Sequence, residues 1–139
     1  MITVELAMAL RDAGLEWDPR PADRFHIPIA GLEDQVFVIS DMTIETQALE
    51  TGTIVRFNGT TEWALDSIAQ DEVIWLPHED QLRRLLGPRF VRLESLPGGF
   101  LVEIEDGDGM PSRHIDIEAE RAYARALLAV LRSAPSGQR

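Results

Sequence analysis

His78, Glu79 and Asp80 stand in a row, and an imidazole beside two carboxylates is the raw material of acid–base or metal chemistry. Their spacing works against it. Consecutive helix residues project about 100° apart, so three in a row cannot converge on one atom. Carboxylates at a helix start already have a structural reason in the positive end of the dipole. His26, His78 and His114 are the only histidines, and no two make the His-x-x-x-His pair of a helical zinc site. Asp106-Gly107-Asp108-Gly109 resembles the opening of a calcium loop. The fifth and twelfth positions, which need ligand oxygens, are Met110 and Ile117, so the pattern fails. Glu62 and Asp66, four apart, could present two carboxylates on one helix face. Sharing acid and base roles needs a cleft that moves one pKa, and nothing in the sequence builds one.

Composition removes further chemistries. The chain has no cysteine and no lysine, which excludes disulfides, thiolate nucleophiles, a Schiff base and a phosphate-loop lysine. Nor does it contain a Gly-x-Ser-x-Gly elbow or a Gly-x-Gly-x-x-Gly turn. No catalytic, metal or cofactor residue is assigned, no cofactor is expected, and the balance leans away from an enzyme.

Two binding surfaces remain. Trp63 and Trp75, with Phe57 nearby, are the residues for an aromatic pocket wall, with His78 beside them. The second is electrostatic. The net charge is −11, and residues 31–80 hold eleven acids against Arg56 alone. That field repels phosphate backbones, so nucleic acid is not expected as a partner, whereas a basic protein is. Glu33, Asp34, Glu45 and Glu50 are the residues expected to meet it.

The elements that must position these residues follow from periodicity and end signals. Residues 4–13 read as a helix capped by Thr3, with Leu6, Ala9, Leu10 and Ala13 on one face. Arg24–Ile29 alternates, and Pro28 places it at a sheet edge, where pairing with a second copy would make a homo-oligomer. Gln35–Ser40 is apolar throughout and reads as a central strand. Met42–Leu49 and Ile54–Phe57 follow as strands, and Thr60–Ala69 as a helix. Val73–Leu76 reads as a strand, and Pro77 as the first residue of a helix that Gly87 and Pro88 stop. Phe90–Leu96 and Phe100–Glu105 flank Pro97-Gly98-Gly99 as a hairpin, Asp106–Arg113 reads as an exposed connection, and Asp116 as the cap of a helix from Ile117 to about Ser133.

The sum is one α+β domain over residues 1–133 with a frayed tail at 134–139. Its mainly antiparallel sheet, of five to seven strands, is packed by the N- and C-terminal helices, with a helical corner at 60–87. No apolar run approaches the ~20 residues that span a bilayer, so no membrane is expected as a partner and the cytoplasm is the expected location. The expected function is protein binding or regulation through the acidic surface. The alternative is a small-ligand binder or hydrolase with a Trp-lined pocket near residues 57–78.

The stretches VELAMALRDAGLEWDP and FNGTTEWALDSIAQDEVIWLPHEDQLRRLLG resemble a family of small uncharacterised actinobacterial proteins, some labelled as pilus-assembly proteins. The opening helix with its tryptophan and the later Pro-led, leucine-rich helix are also similar to small phage-associated proteins. The resemblance implies a shared α+β fold and supplies no catalytic residues.

Overall fold

Helix α2 (Glu79–Leu86) shows how closely local chemistry sets an element's ends. Glu79 and Asp80 occupy its first turn and Arg83 and Arg84 its last, each sign opposing the dipole. His78 is the cap, and its backbone N–H donates to Gln81 Oε1 at 2.8 Å. Pro77 is therefore not the first helical residue but the buried residue ahead of the cap. Gly87, at φ +58, ends the helix, and Pro88 falls in the 3-10 turn Gly87–Arg89.

The protein is α+β. Its computed structural model describes residues 1–33, 35–39, 43–49, 52–58, 67–69 and 73–133, with the backbone alone for 43–49, 52–58 and 67–69. The proposed tail at 134–139 lies outside the described residues. Two compact units emerge: Met1–Glu16 with the chain from Leu76 onward, and Trp17–Trp75.

In the first unit, strands β7 (Phe90–Leu96), β8 (Gly99–Glu105) and β9 (Pro111–Asp116) form an antiparallel sheet in that order. Leu96 pairs with Gly99, so the turn is only Pro97-Gly98, tighter than the three-residue loop expected. Gly98 sits at φ +86, as the second corner of such a turn requires. Gly99 belongs to the strand, and a Cβ there would meet the Asp116 carbonyl oxygen at 2.8 Å. The Asp106–Arg113 connection shortens to a loop ending at Met110, because Pro111–Asp116 pairs with β8 along its length. Asp106 Oδ1 accepts from the amides of Asp108 and Met110, both at 2.9 Å, so this carboxylate builds its own turn.

Helix α3 (Ala119–Ser133) packs on β8 and β9, and α1 (Val4–Asp12) and α2 pack on α3. It starts at Ala119 rather than Ile117, which is exposed, and Asp116 ends the preceding strand. Leu10, Leu82, Val102, Tyr123 and Leu127 are buried in this unit, each large side chain contributing about 1.5–3 kcal/mol of transfer free energy. Thr3 Oγ1 accepts from the Leu6 amide at 3.1 Å, confirming the α1 cap.

In the second unit, β1 (Arg24–His26) lies between β2 (Phe37–Val38) and β6 (Ile74–Leu76). The edge assignment for Arg24–Ile29 is thus overturned: the strand ends before Pro28, so the missing donor never enters the ladder. The Gln35–Ser40 run is overturned in the other direction. Its strand is two residues long and at the edge, and Val38 is 54% exposed. Strands β3 (Thr43–Leu49), β4 (Gly52–Asn58) and β5 (Ser67–Ala69) form a second antiparallel sheet. Ser67–Ala69 pairs with β4 and is no helix end; residues 60–66 of the expected helix lie outside the described residues.

Candidate functional site

Of the pocket residues expected from sequence, Trp75 is the one whose indole can be placed in its own surroundings. It stacks on Trp17 with ring centroids 6.4 Å apart and planes 13° from parallel. Trp17 also packs on Phe25 at 5.8 Å, and Phe25 on Phe37 at 5.5 Å. The Trp17 indole N–H donates to Asp23 Oδ2 at 2.9 Å, and the Arg20 amide donates to the same oxygen at 3.0 Å. Asp23 is only 3% exposed, so these donors replace the water it has lost. Trp75 Nε1 is buried and has no hydrogen-bond partner among the described residues.

His26 is also buried, with Nδ1 3.1 Å from the Gln35 carbonyl oxygen. A carbonyl can only accept, so Nδ1 carries the proton. Among the described residues, the cluster therefore presents one unanswered donor, the Trp75 indole N–H. Trp63 lies outside the described residues, and Phe57 is placed by backbone alone, opposite Ile44 in the β3–β4 ladder.

His78 stands in the other unit as the α2 cap, apart from Glu79 and Asp80 in direction as well as role. Glu79, Asp80, Arg83 and Arg84 line a groove of about 570 Å³ with Tyr123. Asp80 and Arg84 form an exposed ion pair at 3.5 Å, and Arg83 lies over the Phe90 ring at 4.9 Å. Burial holds the Tyr123 hydroxyl above its ordinary value, and the Glu79 carboxylate pushes the same way. A phenol whose pKa is raised is not thereby activated as a nucleophile.

The acidic surface is described at Glu33 alone. Its carboxylate accepts the Gly31 amide at 3.0 Å, a bond that holds it below the usual carboxylate range. Glu45 lies in β3, placed by backbone opposite Arg56, and Asp34 and Glu50 lie outside the described residues.

The strongest ionic constellation was not expected from sequence. Asp116, with its side chain 8% exposed, accepts Arg125 Nε at 2.8 Å, with Arg121 Nη1 4.0 Å away. Burial acts to raise this carboxyl, and the bonds from Arg125 and the Glu118 amide outweigh it, leaving it below its ordinary value. On the opposite face of the sheet, Glu103 accepts Arg92 at 3.0 Å and Arg113 at 3.3 Å. The signal was partly present as arginines four apart, Arg121 and Arg125, with an acid one turn before the first; only the fold brings Asp116 under both. Burial lowers the His114 pKa, and its Nε2 lies 3.0 Å from Ser112 Oγ.

Among the described residues no group of three His, Asp or Glu side chains could hold a metal ion, and no helix is long and apolar enough to cross a membrane. Comparison with protein-family models, with curated proteins and with solved structures returned no match to this chain.

Proposed function

We propose that this chain is a non-enzymatic protein-binding or regulatory protein whose Trp17–Trp75 unit offers an acidic surface to a basic protein partner. One observation carries the reading: that unit holds eleven acids against Arg20, Arg24 and Arg56, so its own cations cannot balance it. Glu33 supports it as an exposed carboxylate held ionised by a backbone donor. Such a field speeds encounter with a cationic surface and weakens as salt screens it. The test is capture of a partner from host lysate at low and high salt, repeated with Glu33, Asp34, Glu45 and Glu50 changed to Lys. A basic partner lost on charge reversal is expected. Capture unchanged by the reversal would remove this function.

A second reading, a small-ligand site on the aromatic cluster, is favoured by the Trp75 indole N–H, which no described residue satisfies. A ligand bearing a carbonyl or carboxylate would satisfy it. Thermal-shift screening should then find a compound whose stabilisation disappears in Trp75→Phe. In the absence of ligand that substitution removes an unsatisfied donor, which offsets part of the packing lost with the larger ring.

A further inference from the structure

Strand β7 is an outer strand of its sheet among the described residues, and after the bulge at its start only the charged Arg92 and Glu94 guard the edge. It carries no proline, and Leu93 and Val91 are 37% and 42% exposed. The other outer strand, β9, opens on Pro111, which lacks a donor. The two-residue turn makes Leu96 and Gly99 a hydrogen-bonded pair, so Glu94 and Arg92 also direct their backbone groups to β8. The N–H and C=O groups of Leu93 and Ser95 consequently point away from the sheet.

The side chains on this edge are complementary to themselves. Arg92 and Glu94 share one face of β7 and lie either side of Leu93. If a second β7 runs antiparallel with Leu93 opposite Leu93, Arg92 of each copy faces Glu94 of the other. These are the closer, non-hydrogen-bonded positions of the new ladder, where opposite charges stabilise pairing. In the single chain Arg92 reaches Glu94 and Glu103 of its own sheet face, and Glu94 pairs with Arg92 as an exposed neighbour.

We propose that two copies of this chain associate through antiparallel β7–β7 pairing about a two-fold axis at Leu93, joining two three-stranded sheets into one. The β-bulge between Phe90 and Arg92 limits the ladder to the stretch that follows it. The contact is small, so association is weak. The inference does not depend on the acidic surface, which lies in the other unit.

Sedimentation velocity across the micromolar range tests it, with circular dichroism to confirm that each variant is folded. The wild type should pass from monomer to dimer. Arg92→Glu and Glu94→Arg should each weaken dimerisation at least tenfold, because each places like charges opposite. An equimolar mixture of the two variants should recover it, since both cross-strand pairs of the mixed dimer again join opposite charges. Loss of the Arg92–Glu103 contact within a chain cannot produce that recovery. A wild type monomeric throughout, single variants that dimerise normally, or a mixture that fails to recover would each overturn the proposal.

Discussion

Asp23 and Asp116 are both carboxylates withdrawn from water, and the two units hold them by different means. Asp23 Oδ2 sits between two neutral donors, the Trp17 indole and the Arg20 amide. Asp116 is gripped by the Arg125 guanidinium with Arg121 behind it. The difference follows the distribution of arginine: the Trp17–Trp75 unit has three, and the rest of the chain has ten for thirteen acids. Among the described donors, Asp23 is met by fixed dipoles and Asp116 by an ion pair with the half-exposed Arg125. The first arrangement ties the carboxylate to the aromatic core, and the second ties it to pH and salt.

The largest expected effect tests the first arrangement. Asp23→Ala removes the acceptor of the buried Trp17 N–H and should cost about 1–3 kcal/mol in denaturant unfolding. Loss of the bond should also shift tryptophan emission. A variant as stable as the wild type, with unchanged emission, would show that the pair does not hold the cluster. Asp116→Asn should cost less, about 1–2 kcal/mol at neutral pH, because Arg125 remains half exposed and can return to water.

The same substitution sharpens the contrast through pH. The folded Asp116 pKa is lowered, so its contribution is present above the ordinary value of 3.8 and is lost as pH falls through the folded value. Wild type and Asp116→Asn should therefore converge in stability in that acid window, and also at high salt. The smallest effect concerns His114. Its folded pKa lies below 6.5, so the unfolded chain binds the proton more readily and stability should decline as pH falls through 6.5. His114→Gln should flatten that slope, and an unchanged slope would assign it to other groups.

The parts of the fold that local chemistry controls were legible in the sequence. Thr3, the charges of α2, Gly87 and the Pro97-Gly98 turn act on residues next to them, and each ends an element where its chemistry predicts. The misread elements are those set by distant partners. Pro111–Asp116, with proline, serine and two charged residues, has poor strand propensity and is a strand because β8 lies beside it. Val36, Phe37 and Val38 look like a core strand, but only Phe37–Val38 is a strand and it lies at an edge, which no periodicity encodes. Site residues divide the same way. Trp75 was identified by type, whereas its stacking on Trp17 joins segments far apart in sequence, and the role of Asp23 depends on how a short proline-containing loop turns back on Trp17.

Helix α1 is the first element of the chain, and its main packing partner, α3, is the last. During synthesis Ala7 and Leu10 leave the ribosome long before the surface that will cover them exists. The nascent chain must carry this short amphipathic helix uncovered while the whole Trp17–Trp75 segment is made. A chain terminated before Ala119 would never cover it.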